Sequence, residues 1–195
     1  MSDKPCVALG VTGGIAAYKA CMLTSMLASA GYDVRVVMTD HAQEFVAPLT
    51  FETLSKNRVI TDTFNRDVPW EVDHVALAKA ADIVVVAPAT ANIIAKAANG
   101  IADDFLSTFL LAANCKKIFA PAMNTAMLNS APNKRNMETI KADGAELIFG
   151  ASGMLACGDL GSGRMAELKN THKQAYISRG YAKSVTERIE TYRKG

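Results

Sequence analysis

Cys157 lies in the stretch 150–167, G-A-S-G-M-L-A-C-G-D-L-G-S-G-R-M-A-E, where five glycines and one arginine surround a single thiol. Glycine lets the backbone take positive φ and come close to a ligand. Long irregular loops in compact domains serve as lids or binding loops. Met154, Leu155, Ala156, Met165 and Ala166 give this loop apolar groups with which to dock. Two readings stand at this point: a hinged flap that carries Cys157 over a site built elsewhere, or a surface loop around a half-buried structural cysteine. A thiol on a closing flap can donate a proton in a space shielded from water.

Three other places carry chemistry. Asn124, in P-A-M-N-T-A-M, presents one acceptor and two donors; it suits recognition of a carboxylate, and it equally suits a helix N-cap. His74 follows Asp73 and precedes an apolar run, so it stands either as a proton-transfer group or as a structural or solvated histidine. The turn T-G-G-I-A, residues 12–16, sits between an apolar run and a helical pattern, an arrangement that aims backbone N–H groups and a helix N-terminus at an anion. It lacks both G-x-G-x-x-G and G-x-x-x-x-G-K-[ST]. The turn is therefore a cradle for one mononucleotide phosphate, or a tight turn without ligand. Thr39 could bond a phosphate or cap the helix after it.

The elements that must position these residues follow from periodicity. Apolar runs at 6–11, 33–38, 83–87, 117–120 and 146–149 read as strands, the third fully buried. Ile15, Tyr18, Met22, Met26 and Ala30 recur at helical spacing over 15–30, and Gly31 ends that helix. Further helices are expected near 41–46, over 93–98, from Asp103 or Asp104 to about Ala112, over 134–143, and through much of 169–194. Residues 47–72, with Pro48 and Pro69, read as an irregular surface excursion. The pattern predicts an α/β fold: a doubly wound, mostly parallel open sheet with helices on both faces, Rossmann-like or flavodoxin-like. Every candidate site residue then follows a strand, at the carboxyl edge where such sheets bind ligands. Residues 1–195 are expected to form one domain, with 150–167 a flexible flap and 168–195 a C-terminal helical segment.

Composition narrows the class. The net charge of +2 and the absence of a Lys/Arg cluster argue against a nucleic-acid binder. No apolar run approaches the roughly 20 residues of a membrane span, and the N-terminus reads as no signal peptide. Four cysteines, at 6, 21, 115 and 157, show no C-x-x-C, which argues against zinc and against a disulfide framework. A reducing, cytoplasmic compartment is expected.

Three motifs together, T-G-G-I-A-A-Y-K (12–19), P-A-M-N-T-A-M (121–127) and A-C-G-D-L-G-S-G-R-M (156–165), resemble the phosphopantothenoylcysteine decarboxylases of the homo-oligomeric flavin-containing cysteine decarboxylase family. The resemblance spans roughly residues 5–167. It implies FMN as cofactor, held by Gly13, Gly14, Ile15, Thr39, Phe45, Pro88, Ala89, Thr90 and Ala91. It implies catalytic roles for His74 as base or proton relay, Asn124 as carboxylate holder and Cys157 as flap acid. Substrate contacts would fall on Asn124, Met127, Ala156, Cys157, Gly158, Arg164 and Met165. It also implies a trimer or trimer-based dodecamer with FMN near the subunit interface, no metal, and either a stand-alone decarboxylase or a domain excised from a fusion with a synthetase.

That chemistry needs these parts. Direct loss of CO2 from an N-acyl cysteine leaves an unstabilised carbanion. Oxidising the thiol-bearing carbon to a thioaldehyde lets the electrons left by CO2 settle on sulfur, giving an enethiol that is then reduced and protonated. FMN would supply the redox chemistry, and the protein the binding and the protons. The alternatives are a peptidyl-cysteine decarboxylase, another flavoprotein of the same fold such as a prenyltransferase, and a non-catalytic regulatory relative. The Cys-bearing flap speaks against a prenyltransferase. The presence of His74, Asn124 and Cys157 together speaks against a regulatory protein.

Overall fold

The computed structural model describes residues 4–62, 73–150, 153–154, 160–161, 163–167 and 170–171. Its centre is a five-stranded sheet: β1 (Cys6–Val11), β2 (Asp33–Met38), β3 (Ile83–Ala89), β4 (Lys116–Pro121) and β5 (Glu146–Leu147), in the order β2-β1-β3-β4-β5. All four pairings are parallel. β1 and β3 are buried at every position, as expected of strands covered on both faces. Beyond β2, Ile60 adds a further parallel bridge to Val37.

Side chains alternate between two cores. Val7, Leu9, Val11, Val34, Val36 and Val85 face one, which α1 (Ala17–Ser29) and α3 (Pro48–Ser55) close. Ala8, Val37, Val84, Val86 and Phe119 face the other, beneath α4 (Asp73–Ala80), α5 (Ala91–Asn99), α6 (Phe105–Ala112) and α8 (Ala131–Ala142). Gly10 is what lets α6 approach β1, since a Cβ there would sit 2.7 Å from Leu106 Cδ1. The short helices α2 (Asp40–Gln43) and α7 (Thr125–Asn129) follow β2 and β4. Asp104 caps α6 in a reciprocal box with Ser107, the device that favours helix initiation at such a position. The doubly wound α/β architecture expected from the sequence is the one observed.

Two expectations need correction, and the buried face of α1 is added to them. Residues 47–72 are not irregular throughout: Pro48 stands in the first turn of α3, where its missing N–H costs nothing, and Phe51 is fully buried. Phe64, Pro69 and Trp70 lie outside the described residues. The helix expected over 15–30 is α1; Ile15, just before it, and Tyr18 and Met22 on it are exposed, and the buried side is Ala17, Ala20, Leu23, Thr24 and Leu27. The glycine-rich stretch holds an antiparallel pair, β6 (Gly153–Met154) with β7 (Leu160–Gly161), too short to leave an alternating pattern in the sequence. The C-terminal helical segment at 172–195 lies outside the described residues.

Candidate functional site

The strand order reverses between β1 and β3, and in open α/β sheets the ligand crevice lies at that point, outside the carboxyl ends of the strands. Here the loops after β1, β2 and β3 are bonded together. Thr12 is buried; its Oγ1 donates to the Pro88 carbonyl at 2.7 Å and accepts from the Thr90 N–H at 3.1 Å. Its hydroxyl is thus spent on joining the first and third loops. The Thr39 N–H donates to the Val11 carbonyl at 3.1 Å, which ties in the second. Gly13 packs directly on the backbone of His41, where any Cβ would overlap it. A Cβ on Gly14 would meet only the Thr90 methyl, at 3.8 Å.

This junction suits an anion. The N-cap of α1 is Ala16, which offers no side-chain cap, and its first turn carries no acidic residue. Thr39 is N-cap of α2 and likewise makes no side-chain cap bond. In the first turn of this 13-residue helix the Ala17 and Lys19 N–H groups donate to the Gly14 and Ala16 carbonyls, at 2.9 and 3.0 Å, so what the turn offers an anion is chiefly the positive end of the helix dipole. Gly13, Gly14, Thr39, Thr90 and Ala91 come together here with the buried Pro88 and Ala89. Ile15 and Phe45 are about half exposed, at 59% and 50%.

A second group forms where β4 ends. Asn124 is N-cap of α7, its Oδ1 accepting from the Met127 N–H at 2.7 Å. The cap settles the orientation of the amide: the oxygen is held, and the NH2 makes no hydrogen bond among the described residues. Met123 donates its N–H to the Gly163 carbonyl at 3.0 Å, and Gly163, at φ +135°, lies so close to the Met123 carbonyl that a Cβ would overlap it. The base of the 150–167 stretch is therefore seated on the residue next to Asn124. Gly150 packs in the same way on the backbone of Arg164 and Met165. Met165 itself is 3% exposed in the first core and bridges Phe149, while Met127 is exposed. Cys157, Ala156 and Gly158 lie outside the described residues.

Sequence reasoning passed over Lys19, on α1. Burial holds its pKa below the ordinary lysine value, and the Arg164 guanidinium adds to that while Glu167 opposes it. Two cations, one on α1 and one on the return of the glycine-rich stretch, thus feel one another, with the Glu167 carboxylate as a counter-charge. No spacing rule links position 19 to 164. His74 stands at the start of α4, its ring edge-on to Phe105 at 6.4 Å and 80°.

The chain matches the family described as Flavoprotein over residues 1–174. It is 51% identical over 169 residues to the coenzyme A biosynthesis bifunctional protein CoaBC of Bacillus subtilis, covering 87% of this chain and 42% of that protein. The chain thus spans about two fifths of the bifunctional relatives it matches. A probable phosphopantothenoylcysteine decarboxylase of Streptococcus mutans is 44% identical over 164 residues, covering 83% of this chain and 92% of the relative. Among solved structures, a PPC decarboxylase mutant complexed with pantothenoylaminoethenethiol superposes with a TM-score of 0.80 at 30% identity, covering 89% and 97% of the two chains. The FMN-dependent cysteine decarboxylase SpaF follows at 0.78 and 30%, covering 90% and 97%. With a switch-point crevice, an uncapped first helix and these likenesses over most of its length, the chain belongs to the Flavoprotein family.

Proposed function

We propose that this chain is an FMN-dependent carbon–carbon lyase that decarboxylates 4′-phosphopantothenoylcysteine to 4′-phosphopantetheine in coenzyme A biosynthesis. The observation that carries the reading is the pairing of two sites at the strand ends. One is the loop junction at β1–β3, which would cradle a phosphate. The other is an outward-facing Asn124 amide seated beside the base of the glycine-rich stretch. The relatives named as phosphopantothenoylcysteine decarboxylases support the substrate.

The residues fit FMN: the α1 N-terminus and the 12–15 turn would take its phosphate, with Pro88 to Ala91, Thr39 and Phe45 around the rest. When bound, FMN supplies a hydride acceptor for the thiol-bearing carbon and returns the hydride once CO2 has left, so the cycle balances without a second redox partner. The work of the protein is orientation and proton transfer. Asn124, its oxygen held by Met127, donates its NH2 to the substrate carboxylate and fixes the scissile bond. Lys19 and Arg164 offset the negative charge of the substrate. Cys157 brings a proton to the carbon that has lost CO2, and its stretch closes over the intermediate. Met127, Ala156, Gly158 and Met165 shape the same pocket, and His74 acts as base or relay.

A homo-oligomer, a trimer or an assembly of trimers with FMN near the interface, belongs to this proposal. Ile15, Tyr18, Met22, Phe45 and Leu49 are exposed large apolar side chains, and three of them line one side of α1 and its entry turn, as an interface would require. In such an assembly His74 serves the flavin of a neighbour. The proposed compartment is the cytoplasm; the three cysteines described are all free thiols. Among the described residues no helix is long and apolar enough to cross a membrane.

The experiment is a competition by product mass. The FMN-loaded protein is offered 4′-phosphopantothenoylcysteine and a peptide ending in cysteine. Loss of CO2 from the pantothenoyl substrate is expected. Turnover of the peptide alone replaces the substrate, and turnover of neither removes the enzymatic reading.

A further inference from the structure

Asn133 lies on the inner side of α8 and is 4% exposed. Its Nδ2 reaches the Leu128 carbonyl at 3.5 Å, Met123 Sδ at 3.3 Å and Met137 Sδ at 4.0 Å. Its Oδ1 is buried and has no hydrogen-bond partner among the described residues. An unpaired buried acceptor costs free energy, and long contacts to a carbonyl and two thioethers do little to offset it. A leucine or methionine of similar volume would pack on Met123, Leu128 and Met137 without that cost. Local stability therefore does not account for an amide at position 133.

What the amide touches does. Met123 precedes Asn124, and Leu128 ends the first turn that Asn124 opens, its N–H donating to the Asn124 carbonyl at 3.0 Å. One buried side chain thus touches both ends of the segment that presents the Asn124 amide, and its amide geometry rather than its bond energy sets their spacing. Met123 is also the seat of Gly163, at the base of the glycine-rich stretch. The contacts run without a break from the α8 interior through Met123 to that base.

We propose that Asn133 is a positioning residue: it sets the height of Asn124 against the seat of Gly163, so that the carboxylate holder and the base of the 150–167 stretch keep one fixed spacing. It touches neither cofactor nor substrate and acts through Met123 and Leu128. In its kinetic part the inference rests on the decarboxylase reading above; its structural part does not.

The test compares the full chain, loaded with FMN, with Asn133→Leu and Asn133→Met. Both variants are expected to keep FMN and to melt no lower than the parent, because the orphaned acceptor is gone. Amide hydrogen exchange in 123–128 and 163–165 is expected to quicken about tenfold, with KM for 4′-phosphopantothenoylcysteine rising by about that factor and kcat moving less. Lowered melting with unchanged exchange in those segments would overturn the proposal, since the amide would then serve stability alone. Failure of both variants to fold would overturn it for the same reason. Unchanged KM beside quickened exchange would overturn the kinetic part. Should the parent protein leave the substrate untouched, the decarboxylase reading fails, and the exchange data still decide whether Asn133 holds the segment.

Discussion

Replacing Gly13 by alanine tests the crevice at its tightest point. The new Cβ would overlap His41 Cβ and stand 2.9 Å from the His41 carbonyl carbon and 3.0 Å from its oxygen. Carbon atoms settle at about 3.5 Å or more, so roughly 0.6 Å must be found against the carbonyl carbon alone. None of these atoms is the free end of a flexible side chain. The β1–α1 turn or the start of α2 has to move as backbone, and over-packing of this kind costs about 1–3 kcal/mol. Gly14 is the matched control, because its Cβ would meet only the Thr90 methyl at 3.8 Å, an ordinary contact. Alanine there should leave the apoprotein within about 0.5 kcal/mol, or stabilise it by narrowing the unfolded ensemble. Urea unfolding of both apoproteins measures the first effect, and FMN titration by flavin fluorescence the second. If the displaced turn is the phosphate cradle, Gly13→Ala weakens FMN binding by a factor between roughly 5 and 150, the range corresponding to that cost. Equal unfolding midpoints for Gly13→Ala and Gly14→Ala would refute the packing argument. A destabilised Gly13→Ala with unchanged FMN affinity would refute the placement of the phosphate.

Asn124→Asp keeps the acceptor that caps α7 and removes the NH2, so its melting temperature should stay near the parent value while turnover falls by two orders of magnitude or so; Asn124→Ala should lose turnover and also about 1 kcal/mol of cap. Full activity in Asn124→Asp would reduce Asn124 to a cap. Burial, aided by the charge of Asp33, raises the Cys6 thiol from 9.0 to about 12. The unfolded chain thus sheds this proton first, and stability contributed by the buried thiol is lost as pH rises from 9 toward 12, by at most about 1.4 kcal/mol per pH unit. Unfolding free energies across that window should slope less in Cys6→Ala, and parallel slopes would remove the assignment. Tyr18→Asp places a charge in the exposed apolar stripe; light scattering should show a smaller assembly than the parent, and an unchanged mass would send the interface elsewhere.

Much of this was legible in the sequence, for identifiable reasons. β1 and β3 are buried on both faces and so read as continuous apolar runs, and the pair Asp103-Asp104 announces the start of α6, the cap falling to Asp104. The crevice could be placed because Thr12, Thr39 and Thr90 each follow a strand, and topology alone brings strand ends together. α3 was hidden because Pro48 breaks a helix in its interior and starts one at its first turn, two roles a single proline does not distinguish. The face of α1 was hidden because large apolar residues stand on both sides of it: Leu23 and Leu27 are buried, while Tyr18 and Met22 are exposed. Lys19 and Asn133 gave no local signal: one gains meaning only from Arg164 on a distant return, the other only from an acceptor left unpaired after folding.

The most direct measurement of the central claim is electron balance. The FMN-loaded protein is incubated anaerobically with excess 4′-phosphopantothenoylcysteine and no added oxidant or reductant, while product and flavin absorbance are followed together. Many equivalents of 4′-phosphopantetheine per flavin, with the oxidised flavin spectrum restored at the end, is the predicted result. Formation of no more than one equivalent of decarboxylated product, with the flavin left reduced, would contradict it.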